Sequence, residues 1–312
     1  MTVARVASAP GKLVLSGAYA VLYGAPAIVT AVDRRATAYG ARPATHVSDE
    51  AREAVRLGVL DAPCLVDVSP LRTSTPNGSR KLGLGSSSAL LVATLLAKSE
   101  RYDRADGLDR EALVRDALLA HRAAQGGGSG IDVASAVHGS TLACRRDGED
   151  GSLTIHPYAW PADARVVVFA ASESAVTASL VRTVRAFART NAAAFDPLLA
   201  RVHAGANAAT RATNAASLIA ALSAQVDALT ELGDACGAPI VPASQRPLRA
   251  LARDEHGHVG PSGAGGGDVV IFVGVEPPSP RLVHAAAAVG LSHLPLTIGA
   301  ACARIEPNGG AA

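Results

Sequence analysis

The sequence predicts an α+β fold in two domains, and three observations support this. The chain has 312 residues, long for a single hydrophobic core. Strand-like and helix-like segments follow one another without strict βα alternation, in both halves. A polar loop at 146–152 and the proline-bounded segment 157–161 separate those halves, so domains are expected over residues 1–162 and 163–312.

In order along the chain, residues 3–8 and 13–16 read as extended, broken by Ala9-Pro10-Gly11. Residues 26–32, apolar almost throughout, and the alternating 36–41 give two more strands. Residues 48–59 predict a helix capped by Ser48 with Glu50 in its first turn. A short strand at 65–69 and a Pro/Ser/Thr-rich loop at 70–80 precede the segment 81–98, where a glycine loop becomes an apolar helix. Residues 109–124 form an amphipathic helix with an acidic start, followed by a Gly-rich stretch, a short helix at 132–137 and a strand at 140–145. Beyond the boundary come a buried strand at 165–170 and a largely helical, Ala-rich region at 176–232. A strand at 269–274, a helix near 281–289 and a last strand near 301–305 complete the pattern.

Composition narrows the function. The formal net charge is +2 and no basic run stands out, so neither a nucleic-acid groove nor an anionic membrane surface is expected. The four cysteines are far apart and lack metal-ligand spacing, which suits small buried hydrophobes. No signal pattern opens the chain, and the apolar run at 89–97 is short beside the ~20 residues of a membrane span. A cytoplasmic protein acting on a small molecule, as monomer or homodimer, is the expectation. Only three lysines occur, Lys12, Lys81 and Lys98, which draws attention to each.

Three glycine clusters carry the chemistry. In Gly83-Leu84-Gly85-Ser86-Ser87-Ser88, glycines allow close backbone approach, and the N–H groups of the following helix turn favour an anion. The serines there can cap the helix, touch phosphate or ligate Mg²⁺. An ordinary serine cap explains the same residues, and both the P-loop and the dinucleotide fingerprint are missing. Gly126-Gly127-Gly128-Ser129-Gly130-Ile131-Asp132 delivers one carboxylate at a helix start, where a plain N-cap is the simpler reading. Pro261-Ser262-Gly263-Ala264-Gly265-Gly266-Gly267-Asp268 is too glycine-dense for a simple hairpin.

The order of Ala9-Pro10-Gly11-Lys12, then the 83–87 loop, then the 261–267 loop resembles the three motifs of the GHMP kinases and covers nearly the whole chain. Between them, Ala120-His121-Arg122-Ala123-Ala124-Gln125-Gly126 and Gly128-Ser129-Gly130-Ile131-Asp132-Val133-Ala134 are similar to a phosphomevalonate kinase stretch within that family. Mevalonate kinases typically carry Glu where His121 stands. Lys81 and Gly267-Asp268 also resemble the phosphomevalonate kinase pattern. Two departures stand out: Gly127 replaces a customary lysine in a segment one residue shorter, and Ala18 replaces Gly or Glu.

The resemblance implies a first domain like the second domain of the fifth small-subunit ribosomal protein and a ferredoxin-like second domain. It implies ATP and Mg²⁺ as cofactors, with the nucleotide on Gly83, Leu84, Gly85, Ser86, Ser87 and Ser88, and Ser87 on the metal. Lys12, Lys81 and Asp132 become the catalytic candidates: Lys12 polarises the acceptor, Lys81 neutralises the moving phosphoryl group and Asp132 orients the acceptor oxygen. Acceptor contacts are implied for Ser129, Gly130, Ser174, Thr177, Ser262, Gly263, Ala264 and Gly265. The expected reaction is phosphorylation of 5-phosphomevalonate to 5-diphosphomevalonate. Mevalonate kinase, another kinase of this family, and a non-catalytic nucleotide- or metabolite-binding paralogue remain alternatives. His121 reads here as a packed or solvated histidine, and Arg182 and Arg185 as a solvated helix face or a phosphate clamp.

Overall fold

A computed structural model describes residues 5–75, 78–147, 151–171 and 177–307. In chain order its elements are β1 (Val6–Ser16), β2 (Pro26–Pro43), α1 (Asp49–Arg56), β3 (Cys64–Asp67), β4 (Arg72–Thr75), β5 (Gly78–Lys81), α2 (Ser86–Lys98), β6 (Asp103–Arg104), β7 (Gly107–Leu108), α3 (Arg110–Gln125), α4 (Ile131–His138) and β8 (Thr141–Asp147). There follow β9 (Ser152–Pro157), β10 (Arg165–Ala171), α5 (Thr177–Thr190), α6 (Ala192–Thr210), α7 (Ala215–Cys236), α8 (Arg246–Asp254), β11 (His258–Pro261), β12 (Val269–Gly274), α9 (Pro280–Ala288), β13 (Leu291–His293) and β14 (Arg304–Ile305).

The chain forms two compact units, Met1–Leu13 with Val29–Leu142 and Thr297–Ala312, and Val14–Ile28 with Ala143–Leu296. This differs from the single cut expected between residues 162 and 163. Each unit draws on distant segments, and local composition carries no record of such pairing.

In the first unit, strand order runs β14-β1-β2-β8, with β3 also on β2. Ala7 and Ser8 of β1 pair with Ile305 and Arg304 of β14. Arg35 ties the same return segment down, donating to the carbonyls of Ser8, Ala301 and Cys302. Helix α2 is buried along nearly its whole length, as its apolar run from Ala89 to Ala97 demands, and packs on α1, α3, α4, β3 and β14. Ser48 caps α1 by accepting from the Ala51 N–H, and Asp109 caps α3 by accepting from Ala112.

Two expectations change here. Pro10 does not interrupt β1, because the chain stays extended past it and Lys12 N–H bonds the Leu84 carbonyl at 2.8 Å. The 70–80 loop contains the β4–β5 hairpin, in register Arg72 to Lys81 and Thr73 to Arg80. Its polar residues hide it from any reading of hydrophobic alternation.

In the second unit, the sheet order β11-β12-β10-β13 is antiparallel. With helices between β10 and β11 and α9 between β12 and β13, this is the ferredoxin-like arrangement the resemblance implied. Phe169, Val270 and Phe272 on one sheet face form a core with Leu248 and Ala252 of α8 and Leu282 and Ala286 of α9. A second core joins Val226, Leu229 and Leu232 of α7 to Val202 and Ala206 of α6 and Val184 of α5. Helix α7 is long and apolar enough to cross a membrane by length and composition alone, with mean hydropathy 1.2, and half of that window is buried inside the protein. Its packing on α6 is that of a core helix.

Candidate active site

The first unit gathers the 83–88 glycine loop, Lys12 and Asp132. Gly85 stands at the cap of α2 with φ 70°, a left-handed conformation that favours glycine. A Cβ there would sit 2.8 Å from Lys12 Cγ, so the missing side chain leaves room for the lysine stem. The N–H groups of Ser86, Ser87 and Ser88 open the helix and have no partner within it, and the helix dipole points its positive end the same way. Ser88 is 1% exposed, and its hydroxyl turns back to donate to the Gly85 carbonyl at 2.9 Å. Ser87 is half-buried, and its Oγ accepts from Gln125 Nε2 at 3.4 Å.

Lys12 reaches this loop twice, by its backbone N–H to Leu84 and by Nζ to the Gly83 carbonyl at 3.2 Å. Its charge also acts on Asp132, which lies in the first turn of α4 behind Gly130.

Asp132 is held from both sides. His121 Nε2 lies 3.0 Å from Oδ2, and the Val133 N–H donates to Oδ1 at 3.1 Å. Burial raises the carboxyl's affinity for protons, but the His121 charge and hydrogen bond, then Lys12, outweigh it and hold the group at about 2. Burial correspondingly works against a charged His121, yet Asp132 and Glu50 prevail and its pKa is raised. His121 itself is 2% exposed. The sequence reading missed this role. The available signals were the quoted Ala-His-x-x-Ala-Gln-Gly run and the rule that a buried polar side chain needs a partner.

Other candidates fall as follows. Lys81 ends β5 immediately before the loop, with its side chain exposed. Ser129 is half-buried, and Gly130 caps α4 with φ 79°. Ser174 lies outside the described residues, and Thr177 opens α5 with its side chain outside them as well.

In the second unit the glycine loop is firmly tied. Ser262 Oγ accepts from the Val14 N–H at 3.1 Å, and the Ala264 carbonyl accepts from Tyr19 Oη at 2.6 Å. Gly265, with φ 80°, packs directly on the Ile240 carbonyl, where a Cβ would collide. Gly263 faces open space. Behind Ser16 and Gly17 sits Gln225, 3% exposed, which accepts from Gly17 N–H at 2.7 Å and donates to Ser16 Oγ at 2.9 Å.

These units have the GHMP kinase fold, and residues 60–140 match the family described as GHMP kinases N terminal domain. More particularly, over 155 residues the chain is 38% identical to a mevalonate kinase of Methanothermobacter thermautotrophicus, covering 44% of this chain and 48% of that one. The chain thus spans about half the length of the curated relatives it matches. A Lin0012 protein from Listeria innocua superposes with TM-score 0.82 at 23% identity, over 97% of this chain and 99% of that chain. The phosphomevalonate kinase of Streptococcus pneumoniae in complex with phosphomevalonate and AMPPNP gives TM-score 0.73 at 18% identity, over 94% and 99%.

Proposed function

We propose that this chain is an ATP-dependent small-molecule kinase whose acceptor is a phosphate group, 5-phosphomevalonate, giving 5-diphosphomevalonate. The observation that carries the kinase reading is the grouping of Lys12, the α2 helix start and Asp132 in one unit. Phosphoryl transfer asks a protein chiefly for positioning and charge stabilisation. Free N–H groups at 86–88 suit a triphosphate, and Ser87 offers a half-buried hard oxygen at the helix's first turn.

Among the described residues there is no group of three His, Cys, Asp or Glu that could hold a metal ion. A Mg²⁺ ion suits what is present, because it retains water and needs few protein ligands beyond Ser87 and the nucleotide. When bound, it would offset phosphate charge. Lys12 then steadies the acceptor, Lys81 offsets charge on the moving group, and Asp132 aims the attacking oxygen. A new bond forms from that oxygen to the γ-phosphorus, the γ-phosphorus–oxygen bond to ADP breaks, and ADP leaves with the electron pair.

The setting of Asp132 supports a phosphate acceptor. A carboxylate held at about 2 is a poor base at neutral pH. An acceptor phosphate needs none, since its second ionisation lies at about 6. The motif likeness at 120–134 supports the same acceptor. A second reading, mevalonate as acceptor, has the 38% identity to a mevalonate kinase in its favour. Coupled ATP turnover with phosphomevalonate, with mevalonate and with no acceptor decides between them. Turnover with mevalonate alone would replace the first reading by the second, and activity with neither would revive a non-catalytic binding protein.

A further inference from the structure

His121 has no task in the chemistry above, yet its setting is specific. It lies on α3, buried to 2% exposure, with Nε2 aimed at Asp132 Oδ2 at 3.0 Å. A ring nitrogen this close to a carboxylate oxygen donates to it, so Nε2 carries a proton. Nδ1 is buried and meets no hydrogen-bond partner among the described residues. Three charged groups act on the ring: Asp132 from α4, Glu50 from α1, and Arg122 beside it on α3. Glu50 is 7% exposed and accepts from Gln125 Nε2 at 3.3 Å. Two carboxylates against one guanidinium favour the imidazolium.

The consequence for Asp132 is geometric. Each carboxylate oxygen already receives a donor, Oδ2 from His121 and Oδ1 from Val133. The group is fixed in rotation and its lone pairs are partly engaged. Such a carboxylate can still accept one more hydrogen bond or steer an oxygen, but it takes up a proton poorly.

We propose that His121 is a positioning residue: it locks Asp132 as an aiming carboxylate rather than a proton acceptor, and so favours acceptors whose attacking oxygen is already ionised, phosphate monoesters over alcohols. This rests on the kinase reading given above.

Two measurements test it separately from that reading. In the ligand-free protein, the ¹⁵N shifts of the His121 ring are followed from pH 5 to 9, in wild type and in Asp132→Asn. A doubly protonated ring persisting above its ordinary 6.5, and losing that persistence in the variant, is the expected result. A ring whose Nε2 carries no proton at pH 6 overturns the proposal whatever the substrate. Kinetics then compare wild type, His121→Ala and His121→Gln on phosphomevalonate and mevalonate. The alanine variant should lose about 10–100-fold in kcat with the KM for ATP unchanged, and glutamine, which keeps a donor without the charge, should recover part of it. The preference for the phosphate ester, as a ratio of kcat/KM values, should fall about tenfold in both variants. An unchanged ratio in the folded glutamine variant overturns the proposal. Wild-type activity on neither compound would sink the kinase reading instead, with the ring titration still deciding the His121 arrangement.

Discussion

Lys12 Nζ donates to the Gly83 carbonyl at 3.2 Å, so the lysine in the middle of β1 rests on the loop that opens α2. The lysine stem occupies the space that a side chain at Gly85 would need. Both the left-handed backbone and the lysine therefore depend on that glycine.

Gly85→Ala should destabilise the first unit by about 1–2 kcal/mol for the left-handed alanine. It should also displace Lys12, lowering kcat about 10²-fold, the usual loss when one well-placed stabilising group moves. Thermal unfolding and steady-state kinetics together check this. Full activity in a folded Gly85→Ala protein would show that Lys12 is not required where it stands.

Lys81→Ala should lower turnover of a phosphate acceptor more than Asp132→Asn does, by about 10²–10³-fold for the lysine. The reason is that an ionised acceptor needs charge compensation more than it needs a base. The reverse ranking, read from kcat on purified variants, would favour an alcohol acceptor.

The second unit should lose stability in mild acid. His258 on β11 is buried, and burial first, then Arg249 and Arg253, lower its pKa from 6.5 to about 3, with Asp227 opposing. Its Nδ1 sits 3.2 Å from Ser223 Oγ. A depressed folded pKa means that the unfolded chain binds the proton first, so the contribution is intact above 6.5 and is lost as pH falls toward 3. The slope is about 1.4 kcal/mol per pH unit for one such group. Urea midpoints across pH 4–7 should show it in wild type, and His258→Asn should flatten it.

Gln225→Ala should destabilise the second unit by about 3 kcal/mol, because it leaves the Gly17 N–H and the Ser16 hydroxyl without their buried partner. The same change should loosen the Ser16-Gly17-Ala18-Tyr19 segment. A thermal shift within experimental error of wild type would show that water replaces the glutamine there.

Some of this molecule can be read from its residues and some cannot. Helices α1 and α3 announce themselves through Ser48 and Asp109, which cap in the structure as local chemistry dictates. The β4–β5 hairpin is invisible because Arg72, Thr73, Arg80 and Lys81 show no apolar alternation, and only backbone pairing defines it. Lys12 and the 83–88 loop were legible through the order of motifs, not through any property of the lysine. His121 was not, since helical periodicity says that a face is buried but not which carboxylate, from a segment 11 residues further on, will meet it.

The bond from Arg35 to the Ala301 carbonyl spans 266 positions, and β14 closes on Ala7 and Ser8 over a comparable separation. During synthesis at ~5–20 residues per second, those partners of Arg35 emerge only many seconds after it does. A nascent chain that has released β1, β2 and the helices α1–α4 therefore still shows an open strand edge and a guanidinium held by Ser8 but lacking its Ala301 and Cys302 partners. Of the two units, the one bearing the 83–88 loop starts earlier along the chain and is completed later.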